Sequence, residues 1–197
     1  LRAAARVRAA RPGQRVIHYV APSVWAWRPG RAAKMARVVD HVLALLPFEP
    51  PYMQAAGMTC DFVGHPAATI PQASPGEMAA IRAALGVAPE QRLVALLPGS
   101  RRGEVARLAP VFAETLARLR AADPGLAAVV PTVGPIADMV ASLMPPDAGG
   151  WPRILDPRGR PAAEAEARKR ALLAASDAAL AASGTVSLEL AAAGTPM

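Results

Sequence analysis

The chain has 197 residues, of which 53% are hydrophobic, and a mean hydropathy of +0.24. That is enough for a packed core and excludes wholesale disorder, and no apolar run approaches the roughly 18 residues of a membrane-spanning helix. The net charge of +7 lies at one end: residues 1–39 hold nine basic side chains and no acid, while the remainder carries 13 basic and 15 acidic residues.

The single cysteine, Cys60, excludes an internal disulfide and reads as a small buried hydrophobe. Histidines 18, 41 and 65 lack metal-ligand spacing. Residues 1–11 read as an Ala/Arg helix tail, without the apolar core of a signal peptide. Arg15 to Val20 reads as a strand that Ala21-Pro22-Ser23 ends. An extended Val24-Trp25-Ala26-Trp27 places both tryptophans on one side, as core or cleft residues or as contacts for a membrane interface. A helix follows to about Val39. On it Arg28, Arg31, Lys34 and Arg37 recur every third residue, as a solvated face or a stripe for an anionic surface. His41 to Leu46 is a strand, Glu49 to Gly57 a short helix, and Thr59 to Val63 a third strand ending in Gly64-His65-Pro66. This alternation predicts an α/β fold with a parallel sheet.

Residues 67–76 lack periodicity, contain two prolines and read as a linker. The alternation then restarts, with a helix at 77–85, a strand at 92–97 and a helix at 104–121. Pro110 predicts a kink or restart inside that helix. A strand at 127–131, a helix at 136–144, a strand at 153–155, a helix at 164–175 and a strand at 178–182 follow. Gly194-Thr195-Pro196-Met197 reads as a helix stop entering another strand, and the chain is expected to be a piece of a longer protein.

Two strand-to-helix turns carry the chemistry. Leu93–Leu97 runs into Pro98-Gly99-Ser100-Arg101-Arg102. Glycine lets a ligand approach the backbone, helix N–H groups point outward, and arginine adds fork-shaped donors, so a phosphate or diphosphate is expected there. A solvated turn with two surface arginines is the other reading. Ser183-Gly184-Thr185 repeats the logic after the last strand. Glu189, one turn into the following helix, can accept hydrogen bonds from two ribose hydroxyls or make a capping contact with the first turn. Two such turns in one α/β domain point to a nucleotide site in the crevice at the strand ends.

Five segments resemble signatures of the lipid-A-disaccharide synthase family. They are His18-Tyr19-Val20-Ala21-Pro22-Ser23-Val24-Trp25-Ala26-Trp27-Arg28, Pro47-Phe48-Glu49-Pro50, Phe62-Val63-Gly64-His65-Pro66, Leu96-Leu97-Pro98-Gly99-Ser100-Arg101 and Ala182-Ser183-Gly184-Thr185. They occur in the family's order over nearly the whole chain. The tryptophan segment is the most specific, and Ser-Gly-Thr…Glu is shared with other UDP-sugar transferases.

The resemblance implies a GT-B architecture of two Rossmann-like domains. Residues 1–66 would be the later part of the N-terminal domain, and 77–197 most of a nucleotide-sugar-binding domain. It implies transfer of 2,3-diacylglucosamine from its UDP donor to 2,3-diacylglucosamine 1-phosphate, at the cytoplasmic face of the inner membrane of a Gram-negative bacterium. The enzyme would be a cytoplasmic, peripheral membrane protein without metal or other cofactor. Gly99, Ser100, Arg101, Ser183, Gly184 and Thr185 would bind the UDP phosphates, Glu189 the ribose, and Gly64 and His65 would line the cleft. The family's candidate general base lies in a segment this chain does not contain, so no catalytic base is assigned, and Asp40 and Asp61 are not put in its place. The chain alone is expected to be inactive. The alternatives are another UDP-sugar transferase or epimerase of the same fold, or a non-catalytic UDP-binding fragment. A nucleic-acid module built on residues 1–39 has no supporting motif.

Overall fold

The structure is a computed structural model that describes residues 1–197. It divides into two compact units, Leu1–Thr69 and Ile70–Met197.

In the first unit, three short parallel strands, β1 (Ile17–Tyr19), β2 (His41–Ala44) and β3 (Thr59–Phe62), pair in the order β1-β2-β3. Helices α2 (Gly30–Ala36) and α3 (Pro50–Gln54) connect them. Val42 and Ala44 of β2 are fully buried against Met35, Val39, Met53 and Cys60, which makes the central strand the spine of this core. Helix α1 (Arg2–Ala10) buries no residue. It is tied down by Arg8, whose Nη2 donates to the Asp40 carboxylate at 2.6 Å. That carboxylate also accepts from the Val16 amide at 2.7 Å. The amide first, and then Arg8, hold the Asp40 carboxyl below the usual carboxylate range.

The tryptophan segment departs from expectation. Residues 24–27 form a turn and bend, so the extended alternation that would place both indoles on one side is absent. Trp25 packs edge-on against Phe48 at 5.1 Å, and Trp27 lies under the Arg28 guanidinium at 4.3 Å. Both rings are exposed, so neither is a core residue of this unit. The reason is local: Val24 turns inward and fills the space against Ala21 and Met35. Val20 and Arg28, which bracket the segment, hold left-handed backbone (φ +78° and +54°), a strained conformation for a β-branched residue above all.

The second unit is built on four parallel strands, β4 (Leu93–Leu97), β5 (Ala127–Pro131), β6 (Arg153–Leu155) and β7 (Ala178–Ala181), in the order β6-β5-β4-β7. β4 is buried along its whole length, which explains its unbroken apolar run. Its side chains alternate between two layers. Val94 and Leu96 meet α5 (Arg102–Ala122) and α6 (Ala137–Leu143) through Phe112, Leu116 and Val140. Leu93 meets α4 (Pro75–Ala84) and α7 (Ala162–Ala175) on the other face, where Ala95 and Leu97 pack against Leu173 of α7 and Leu190 of α8 (Thr185–Ala193). The chain winds β4-β5-β6 toward one edge, then returns to lay β7 on the far side of β4.

Three helices, α4, α5 and α7, begin two residues earlier than expected. α4 starts at Pro75, because Ser74 and Glu77 form a reciprocal capping box. α5 starts at Arg102 and runs unbroken through Pro110, with no restart. The carbonyl that Pro110 leaves without a donor belongs to Ala106, and both residues face solvent, where water can serve it. Past α8, Pro196 accepts a backbone bond from Ala179 at 2.8 Å, so the chain end runs beside β7.

Candidate functional site

A doubly wound sheet opens a crevice where its strand order reverses, at the carboxyl ends of the two strands flanking that point. Here these are β4 and β7, and the two glycine turns follow them directly. A cavity of about 580 Å³ lies there, within the second unit, in the size range of small-molecule sites. Gly99, Ser100, Arg101, Ser183, Gly184, Thr185 and Glu189 all line it.

The first turn is crowded. Gly99 has φ +121°, and a Cβ there would stand 2.8 Å from the Glu104 Cβ and 2.9 Å from its Oε2. Glu104, in the first turn of α5, folds back over the glycine. Its Oε1 accepts from Arg101 Nη1 at 2.5 Å and its Oε2 from the Ser100 amide at 3.3 Å. The Arg101 bond first, and then the Ser100 amide, hold the Glu104 carboxyl below its ordinary range. The space next to Gly99 that was expected to admit a ligand is therefore occupied by a side chain of the protein itself.

The second turn is open. Gly184 adopts φ +156°, ψ −158°, a region essentially confined to glycine, and nothing lies within 4 Å of its Cβ position. α8 begins at Thr185 with no side-chain cap, so Glu189 makes no capping contact. Instead its Oε2 lies 2.5 Å from Lys169 Nζ of α7, and both side chains are half-buried.

Sequence reasoning missed the other wall of the cavity. Thr132 follows β5, Asp156 follows β6, and Arg160, Arg168 and Lys169 come from α7 and its approach. Arg160 pairs with Glu164 at 2.6 Å and Lys169 with Glu189. Arg168 pairs with no carboxylate, and its buried Nε has no hydrogen-bond partner. Nothing in the helical pattern of α7 signals which residues face the cavity. The sheet order decides it.

Gly64 and His65 lie in the first unit, after β3, and do not line this cavity. Gly64 has φ +84°, and His65 Nδ1 accepts from the Ala67 amide at 3.0 Å. Asp40 is engaged by Arg8 and Val16, and Asp61 lies 3.0 Å from His41 Nε2. No three His, Cys, Asp or Glu side chains come together in a geometry that could hold a metal ion.

A parallel α/β sheet with a cavity at its switch point is the doubly wound arrangement, in which ligands bind at the carboxyl ends of the strands, and solved structures similar to this chain in fold include glycosyltransferases. The chain is similar in fold to ADP-heptose LPS heptosyltransferase II of E. coli, with TM-score 0.52 and 15% identity over 98% of this chain and 77% of that one. It is equally similar to a family 9 glycosyl transferase of Veillonella parvula, with TM-score 0.52 and 11% identity over 98% and 73%. Along residues 1–197 it matches the lipid-A-disaccharide synthetase family, to which it belongs. It is 62% identical to the lipid-A-disaccharide synthase of Ruegeria pomeroyi, over 93% of this chain and 45% of that protein. To the synthase of Rhodospirillum centenum it is 49% identical, over 97% and 45%. The chain thus spans about half the length of the curated relatives it matches.

Proposed function

We propose that the protein of which this chain forms part is a lipid-A-disaccharide synthase with the two-domain GT-B arrangement. In this reading residues 1–66 belong to the acceptor-side domain, 67–76 to a linker, and 77–197 to the nucleotide-sugar-binding domain. The observation that carries the reading is the match to the family along every residue, joined to the meeting of both glycine turns at one cavity.

The reaction is a displacement at the donor's anomeric carbon. The 6-hydroxyl oxygen of 2,3-diacylglucosamine 1-phosphate forms the new β-1,6 bond, and the bond from that carbon to the UDP phosphate oxygen breaks. The hydroxyl proton passes to a general base, and UDP leaves. Charge grows on the diphosphate as the bond breaks. Arg101 and the amides of the two turns oppose that charge with donors fixed before the reaction starts, which lowers the barrier. Ser183 and Thr185 add hydroxyl donors, and Gly184 lets a phosphate approach the backbone. Glu189, held by Lys169, accepts from the ribose hydroxyls.

No helix of the chain is long and apolar enough to cross a membrane. The acylated substrates reside in one, so the enzyme works at its cytoplasmic face as a peripheral protein. The exposed Arg28, Arg31, Lys34 and Arg37, beside exposed Trp27, suit an anionic lipid surface. Charge reversal of Arg31, Lys34 and Arg37 is expected to weaken sedimentation with anionic liposomes, and unchanged binding would refute the docking face.

The deciding assay uses the full-length protein and measures UDP release and disaccharide formation. The diacylated donor and acceptor are run beside plain UDP-N-acetylglucosamine. Turnover of the acylated pair alone is expected. Turnover of the plain donor would remove the substrate assignment and leave the nucleotide site.

A further inference from the structure

A carboxylate at the mouth of an anion site needs a reason, because it repels the ligand. Glu104 lines the cavity and touches both donors of the first turn. We infer that Glu104 is a positioning residue for phosphate binding, which fixes the Arg101 guanidinium in the orientation that meets the ligand. The inference rests on the reading of this turn as the phosphate seat.

The geometry supports positioning over simple obstruction. The Arg101 side chain is 81% exposed, and Glu104 is the side chain it pairs with. Without that contact the guanidinium would sample many rotamers, and each binding event would have to freeze it. A guanidinium carries five N–H donors. Glu104 engages Nη1, which leaves Nη2 and Nε free to grip a phosphate. The Ser100 amide lies farther off, at 3.3 Å, a weak bond that a ligand oxygen can replace.

Gly99 belongs to the same device. Any side chain at 99 would drive Glu104 from its place, since a Cβ would stand 2.8 Å from the Glu104 Cβ. The spacing Gly99-x-Arg101-x-x-Glu104 therefore describes a clamp: the glycine makes room, the glutamate holds, and the arginine binds. The Glu104 carboxyl, held below its ordinary range by these donors, agrees, because a clamp on a cation works only as a carboxylate.

The test measures UDP and uridine binding to the full chain by calorimetry, for wild type, Glu104→Gln, Arg101→Ala and the double variant. Glu104→Gln keeps the side-chain size and loses the charge, and its thermal melt checks folding. UDP affinity is expected to fall about tenfold in Glu104→Gln, with uridine unchanged. In the Arg101→Ala background the same substitution is expected to cost nothing further, because Glu104 acts through Arg101. A merely structural role would lower uridine and UDP binding together and would persist without Arg101. UDP binding that is unchanged or tighter in Glu104→Gln overturns the inference. A wild type that binds UDP no better than uridine overturns the phosphate reading of the turn, and the inference with it.

Discussion

The two turns at the cavity share a plan and differ in their state. One follows the central strand β4 and the other the edge strand β7, and each carries a glycine with left-handed or glycine-only backbone and opens a helix. The β4 turn is filled by Glu104, so its donors are already engaged and aimed. The β7 turn is empty around Gly184, and its charged residue, Glu189, is held from a neighbouring helix by Lys169. The difference teaches that a glycine between strand and helix has two distinct uses. At 184 it leaves space for something outside the protein. At 99 it leaves space for the protein's own side chain.

The contrast can be broken in order of effect. Arg101→Ala is expected to lower kcat/KM of the full-length enzyme by about 10²–10³, the cost of one preorganised donor at a developing charge. A comparable loss from Thr185→Ala would mean that the β7 turn shares this task equally. Next come the glycines. Gly99→Ala is expected to destabilise the fold by about 2–4 kcal/mol, combining backbone strain with the clash against Glu104, and Gly184→Ala by about 1–3 kcal/mol from strain alone. Urea unfolding of the two variants measures the gap, and equal losses would erase the distinction between the turns. Lys169→Met is expected to cost about 1–2 kcal/mol, since the pair with Glu189 is half-buried, and Lys169→Arg is expected to restore most of it.

The smallest effect is one of acidity. The folded Glu104 carboxyl ionises at lower pH than in the unfolded chain, so its contribution is fully present above the ordinary carboxylate range. It is lost as pH falls through the depressed folded value. The stability difference between wild type and Glu104→Gln is therefore expected to shrink on acidification, and a difference that does not change with pH would detach Glu104 from its two donors.

Much of this was legible in the residues. The order of strands and helices follows from apolar periodicity, and both turns announce themselves as a short apolar strand, a small-residue break and a helical pattern. Pairing between distant elements was not legible. Lys169 and Arg168 sit on a helix whose cavity-facing side is fixed by the order β6-β5-β4-β7, a long-range outcome that periodicity does not encode. Glu104 was in view as the start of a helix, but its role depends on a side chain folding back over Gly99. The tryptophan segment misled because Val24, the smaller residue, took the buried place and left both indoles outside.

The cavity wall carries Arg101, Arg160, Arg168 and Lys169 against Glu104, Asp156, Glu166 and Glu189, an even balance of opposite charges. Such a wall projects little field into bulk solvent, so an approaching nucleotide is not drawn in from afar. Its association rate should sit in the unsteered range and change little between dilute and concentrated salt. Discrimination then resides in how slowly the fitted ligand departs, after its phosphates have reached the donors at contact distance.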